Sequence, residues 1–190
     1  MMPTSPLYRS PIALLQELGI TKPEDIQLEG IAEHCGATIV YRRTVGCEAR
    51  VLGYGDLAII TVNEAASLAR RRFSAAHELG HWLWDHGTIA LACTEDSLTG
   101  EWSDETKERR ANRYAADLLL PDFMVRPIVQ DCDITFAMVD HLIDQFSTSF
   151  TATAIRSPLV ILFGREDDTK PLDAHRIAGV IEQNSRDPDA

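Results

Sequence analysis

Apolar residues surround a predicted helix over residues 72–86 on nearly every side. A helix with one solvent-facing side carries a polar stripe, so this distribution predicts a buried helix. Three polar side chains nevertheless lie within it, namely His77, Glu78 and His81. Buried imidazole and carboxylate groups need partners, and a metal ion would satisfy all three at once.

Alternating apolar and polar residues predict strands before this helix. The alternation covers residues 37–43 and 48–53, and an apolar run over residues 57–62 follows the turn pair Gly55 and Asp56. Together they predict a small antiparallel sheet packed on the helix. An edge strand of such a sheet can bind an extended peptide through backbone hydrogen bonds, although the pattern does not identify which strand is the edge.

Helical patterns lie on both flanks of the predicted sheet. On the N-terminal side, Ser10 can cap a first helix that begins at Pro11 and ends at Gly19, and a second helix runs from about residue 25 to 35. On the C-terminal side, helices are predicted at residues 105–121, 123–129, 136–146 and 149–156, followed by a strand at 158–163.

These elements predict one α+β domain over residues 1–190, a length sufficient for a sizeable core. Its parts follow in chain order. They are N-terminal helices (10–36), the sheet with two site helices (37–121), a helical half (122–163) and a peripheral tail (164–190).

The spacing His-Glu-x-x-His places candidate metal ligands on the buried helix. His77 and His81 lie about 40° apart around the helix axis and roughly 6 Å apart along it, so both imidazoles can reach one ion. Glu78 lies beside them. Zinc suits neutral imidazole, and a catalytic zinc site has three protein ligands with a fourth position free for water. The motif therefore predicts a catalytic Zn²⁺ site.

The third ligand has several candidates. One zinc-protease pattern requires Gly at position 84 and His at position 87, where this chain has Trp and Gly, so that pattern fails. Glu108 is the better candidate, because it shares a helix face with Asn112, which could hydrogen-bond the outer nitrogen of a ligand histidine. Neighbouring alanines would let this helix approach the first one closely. The rival ligands are Asp85, Asp104 and Glu105.

Composition and charge bear on partners and location. The formal net charge is −11, which argues against direct nucleic-acid binding and favours a basic protein partner. Within the basic run at residues 70–72, Arg72 is expected to pair internally, with Asp117 as a candidate partner. No signal peptide or membrane-spanning run is recognisable, so a cytoplasmic protein is predicted. The four cysteines show no C-x-x-C pair.

Two motifs in order give the chain a specific resemblance. The run Arg72-Phe73-Ser74-Ala75-Ala76-His77-Glu78-Leu79-Gly80-His81, followed by Glu108-x-x-Ala111-Asn112-x-Tyr114-Ala115-x-Asp117-Leu118-Leu119-Leu120-Pro121, resembles the ImmA/IrrE family of metallopeptidases. The resemblance implies a zincin-like fold with His77, His81 and Glu108 as zinc ligands and Glu78 as catalytic base. It also implies a substrate, a helix-turn-helix repressor whose cleavage derepresses genes of a mobile element or a stress response.

Two classes of function remain open at this stage. The first is a site-specific zinc endopeptidase, which the intact Glu78 favours. The second is a regulator that binds its partner without cutting it, with zinc as a structural clamp, in a toxin–antitoxin or prophage control pair. For the enzyme, the residue that stabilises the oxyanion is unassigned, with His141 as one candidate.

Overall fold

The computed structural model describes residues 9–89, 105–130 and 135–150, together with residues 152, 153 and 156. The described residues form an α+β fold with a three-stranded sheet and six α-helices, which confirms the predicted fold class. The predicted strand at residues 158–163 and the tail at 164–190 lie outside the described residues, and so does part of the predicted helix at 149–156.

Two short helices open the fold, α1 (Pro11–Glu17) and α2 (Leu28–His34). The predicted cap of α1 is confirmed, because Ala13 N donates to Ser10 Oγ at 3.2 Å and Pro11 occupies the first turn. The predicted start of α2 was three residues too early. A 3-10 turn at Pro23–Asp25 comes first, and the non-helical backbone of Ile26 separates it from α2.

The sheet consists of β1 (Ala37–Arg42), β2 (Ala49–Tyr54) and β3 (Leu57–Asn63), in the spatial order β1-β3-β2. The strands β2 and β3 form an antiparallel hairpin, whereas β1 and β3 are parallel, so the sheet is mixed and not antiparallel throughout. Strands β1 and β2 are consecutive in the chain but not adjacent in the sheet, because β3 lies between them. Strand β3 takes the centre because its inward side chains are the most deeply buried, with Ile60 and Val62 at 0% exposure.

The long helix α3 (Leu68–Ile89) packs against all three strands and contacts β2 most extensively. Its buried side chains are Ser74, Ala75, Ala76, Leu79, Trp82 and Leu83. The indole of Trp82 fixes the helix to the end of α2, since Nε1 donates to the Cys35 carbonyl at 2.9 Å. Asp85 has non-helical backbone angles (φ −112°, ψ 17°), so α3 kinks near its C-terminal end.

Helix α4 (Glu105–Leu119) lies against α3 in the most extensive helix–helix contact among the described residues. The two helices meet at Gly80. A Cβ atom there would stand 3.1 Å from Tyr114 Cβ and 3.3 Å from Ala111 Cα. The predicted close approach therefore uses a glycine on α3 as well as an alanine on α4.

Two further helices complete the described fold, α5 (Asp122–Val129) and α6 (Phe136–Phe146). Thr135 caps α6 by accepting from Met138 N at 3.2 Å. Helix α6 packs against the 3-10 turn, which closes the core on the side of α1 and α2. None of the helices in the described residues combines the length and apolar character needed to span a bilayer.

Candidate metal centre

The structure brings together three of the predicted site residues. His77 Nε2 and His81 Nε2 lie 3.0 Å apart, because residues one turn apart in α3 lie on the same face of the helix. From α4, Glu108 places Oε2 at 3.3 Å from His77 Nε2 and Oε1 at 3.2 Å from His81 Nε2. The ligand atoms of the three residues lie within 4.8 Å of one another, an arrangement that could hold a metal ion.

The outer nitrogen of each histidine faces an acceptor. His77 Nδ1 lies 3.0 Å from Asn112 Oδ1, and His81 Nδ1 lies 3.3 Å from Asp85 Oδ2. An imidazole that donates from Nδ1 keeps the lone pair on Nε2 free. Both lone pairs then point into the space that Glu108 closes, so this donor set fits a metal ion such as zinc.

Burial lowers the pKa of His77, and the neighbouring His81 lowers it further. Glu108 and Asn112 act in the opposite direction but do not reverse the shift. The environment of His77 therefore favours the neutral imidazole, which is the form that binds a metal.

Glu78 lies on the same helix, half-buried beside the cluster. Burial raises the pKa of its carboxyl group, and the proximity of Glu108 adds to the rise. His81 and the backbone N–H of Val51 oppose it. A carboxylate with a raised pKa is a stronger base and so a better proton acceptor.

Val51 lies on β2, which is an edge strand of the sheet that the described residues form. Asn63 N donates to the Glu48 carbonyl, so residues 48, 50, 52 and 54 direct their backbone groups toward β3. By alternation, the backbone groups of Ala49, Val51 and Gly53 face outward from the sheet. The outward edge of β2 thus lies beside Glu78, which answers the question that the sequence pattern left open.

Several other contacts and site residues that the sequence suggested are not part of the ligand group. The pairing of Arg72 with Asp117 was wrong, because Arg72 donates to the Ile26 carbonyl at 3.2 Å while Asp117 pairs with Arg156 at 2.8 Å. Asp85 faces the outer nitrogen of His81 and is not in the ligand group. His141 is exposed on α6, and its role stays a prediction. Asp104 and the side chain of Glu105 lie outside the described residues.

Sequence reasoning missed two residues that shape this site. Gly80 allows α4 to approach α3, and a glycine inside a helical pattern is a signal that could have indicated this. Arg110 donates to Asp85 Oδ1 at 3.2 Å. No local signal predicts that contact, since the two residues are 25 positions apart and meet only when the helices pack.

Comparisons with known proteins agree with this geometry. The family model described as the IrrE N-terminal-like domain, peptidase family M78, matches residues 32–156. A radiation response metalloprotease, IrrE of Deinococcus radiodurans, is 31% identical over 72 residues, which are 38% of this chain and 22% of that protein. The chain thus spans well under half the length of this relative.

A solved structure shares the fold. It is a Mycobacterium tuberculosis transcriptional regulator with a TM-score of 0.52 and 21% sequence identity. The match covers 77% of this chain and 45% of the regulator. At this identity the likeness concerns the fold alone, whereas the family model covers both metal-site motifs. The chain therefore belongs to the ImmA/IrrE family of metallopeptidases, through its IrrE N-terminal-like domain.

Proposed function

We propose that this protein is a zinc-dependent endopeptidase that cleaves a helix-turn-helix transcriptional repressor at one site. The observation that carries the proposal is the position of Glu78 between a three-residue ligand group and an outward-facing strand edge. Such a site contains a place for the metal, a proton acceptor and a surface that aligns an extended peptide. A structural metal clamp would need only the first of these.

His77, His81 and Glu108 are the proposed metal ligands, and Asn112 orients His77. When bound, zinc would polarise a peptide carbonyl and lower the pKa of a water molecule. Glu78 then takes the proton of the attacking water and returns it to the departing amine. Its raised pKa favours the first transfer, because a more basic carboxylate is a better proton acceptor.

The outward groups of β2 supply the proposed substrate alignment. An extended segment of the repressor pairs with the outward groups of Ala49 and Gly53 as an additional strand. Val51 lies between them and its N–H is directed at Glu78, so pairing on either side of Val51 brings the scissile bond next to the proton acceptor. The net charge of −11 supports a basic partner such as a DNA-binding protein. Cleavage would derepress the genes that the repressor controls.

The direct experiment uses the purified zinc-loaded protein and the helix-turn-helix protein encoded nearest to it, with a Glu78→Gln variant as control. Intact mass spectrometry should show one new pair of fragments with the unaltered protein and none with Glu78→Gln. The variant keeps all three ligands, so equal zinc content in both proteins isolates the proton-transfer role. Stable binding without cleavage by either protein would instead support the non-cleaving regulator.

A further inference from the structure

Three residues, His81, Asp85 and Arg110, form a chain of polar contacts that reaches the metal site from its outer side. Asp85 Oδ2 lies 3.3 Å from His81 Nδ1, and Asp85 Oδ1 accepts from Arg110 at 3.2 Å. Both carboxylate oxygens are thus engaged. The Asp85 side chain is only 10% exposed, whereas that of Arg110 is 32% exposed. The contact therefore joins α3 to α4 largely out of solvent.

Arg110 compensates for the partial burial of the Asp85 carboxylate. A carboxylate at this exposure loses much of its hydration, and the contact with His81 replaces only part of it. A guanidinium group supplies a second, charge-assisted partner. Asp85 accepts from Arg110 through Oδ1, which leaves Oδ2 as the acceptor that faces His81 Nδ1. A proton on Nδ1 is then hydrogen-bonded to Asp85, and Nε2 is the nitrogen that faces the ligand group.

Arg110 is itself held in position. Its guanidinium carbon lies 5.1 Å from the centre of the Trp84 ring, a cation–π distance. It stands two residues after Glu108 and two before Asn112 on α4. The contact also falls where α3 kinks, since Asp85 is the residue with non-helical angles. Arg110 therefore contacts the Asp85 carboxylate where the backbone of α3 departs from helical angles. Regular helix geometry does not fix the direction of this side chain, and the contact with Arg110 does.

We propose that Arg110 is a positioning residue for the metal site, acting through Asp85 on the tautomer and orientation of His81. In this arrangement α4 serves both histidines, because Asn112 orients His77 while Arg110 orients His81 through Asp85. The inference rests on the metal-binding part of the proposed function and does not depend on peptide cleavage.

Zinc affinity of the full chain, measured by competition with a chromogenic chelator, provides the test. The set of proteins is the unaltered chain, Arg110→Met, Asp85→Asn, the double variant and Arg113→Met. The last is the matched control, since Arg113 is on α4 with an 83% exposed side chain that pairs with Asp117 and not with Asp85 among the described residues. Loss of an outer hydrogen-bond partner should weaken zinc binding about 10-fold or more in Arg110→Met and in Asp85→Asn. Arg113→Met should bind zinc normally.

The double variant distinguishes positioning from a separate effect. If Arg110 acts through Asp85, the double variant binds zinc no more weakly than Asp85→Asn alone. The proposal would be overturned if the fold-losses of zinc affinity in the two single variants multiplied in the double variant. It would also be overturned if Arg110→Met folded and kept its zinc affinity. Should Arg110→Met fail to fold, Arg110→Gln takes its place, because it keeps a polar side chain but loses the charge that faces Asp85.

Nitrogen-15 NMR of the histidine rings in the metal-free protein gives a readout that a purely structural role would not move. The fraction of His81 rings that carry the proton on Nδ1 should be larger in the unaltered protein than in Arg110→Met, because Glu108 competes for the proton at Nε2. An equal Nδ1–H fraction in both would contradict the proposal. Failure to cleave a repressor leaves these results unaffected, whereas failure of the unaltered protein to bind zinc would overturn both proposals.

Discussion

At the scale of single residues, the site depends on where each histidine keeps its proton. Asn112 and Asp85 occupy the outer nitrogens of His77 and His81, so the inner nitrogens remain available. Glu108 approaches both inner nitrogens with separate oxygens, at 3.3 and 3.2 Å. Its side chain is half exposed, which leaves one side of the cluster open to water or substrate.

The first prediction concerns the third ligand. Glu108→Ala should lose zinc affinity by more than the ~10–100-fold that removal of an outer partner costs, because a ligand itself is lost. The effect should be close to that of His81→Ala. Glu105→Ala, one turn earlier on α4, should change zinc affinity little. Elemental analysis after dialysis measures both, and equal zinc content in the two glutamate variants would show that Glu108 is not the ligand.

At the scale of elements, the site forms where α3, α4 and the edge of β2 meet. Helix α3 provides the histidines and Glu78, α4 provides Glu108 and Asn112, and β2 provides the outward backbone groups. The close contact of α3 and α4 sets the distance from Glu108 to the histidines. A change in that contact should therefore reach the metal without touching any ligand.

Gly80→Val tests the helix contact. The new side chain would overlap Tyr114 and Ala111, and overpacking of this kind costs about 1–3 kcal/mol. We expect a lower free energy of unfolding together with weaker zinc binding, since α4 moves away from His77 and His81. Gly30→Val on α2 is the matched control, because a Cβ there meets nothing within 4 Å. Normal zinc affinity in a destabilised Gly80→Val protein would show that the contact of α3 with α4 does not control zinc binding.

Ala49→Pro tests the strand edge. Proline removes an outward N–H but leaves the bonds from β2 to β3, and edge strands tolerate it in that position. Loss of one substrate hydrogen bond, worth about 1 kcal/mol, should raise KM about fivefold with kcat nearly unchanged. Ala49→Gly keeps the N–H and serves as control. An unaltered KM in a Ala49→Pro protein of normal zinc content would argue against strand pairing at that residue.

Element positions were predictable to different degrees. The buried apolar helix, the strand alternation and the cap at Ser10 each reflect local chemistry, and each element lies where the pattern placed it, within a few residues. The parallel pairing of β1 with β3 was not predictable, because alternation sets which side of a strand is buried but not which strand lies next to it. Similarly, α2 begins late because Pro23 favours a separate 3-10 turn.

At the scale of the whole molecule, the metal would connect two helices that belong to different parts of the chain. Zinc that binds only the folded protein stabilises it, by about 4 kcal/mol at a free concentration 1,000 times Kd. Removal of zinc with a chelator should therefore lower Tm by about 8–16 °C for a chain of this size. Calorimetry with and without the chelator measures the shift.

Two variants control this experiment. Glu78→Gln keeps the ligands and should show the full shift, whereas Glu108→Ala should show little or none. A Tm that does not respond to the chelator in the unaltered protein would mean that no metal stabilises the fold.

The sequence by itself predicted the candidate ligand group and determined the local elements of this protein. Helix geometry brings His77 and His81 to one face wherever the helix lies, and the Glu108 motif marks the second helix. Tertiary structure decided which strand edge lies beside Glu78 and which residue of α4 contacts the acceptor of His81. Those contacts join Val51 to Glu78 and Arg110 to Asp85 across 27 and 25 positions of the chain. They depend on strand order and helix packing, which are set by the burial of the whole core and not by any local pattern.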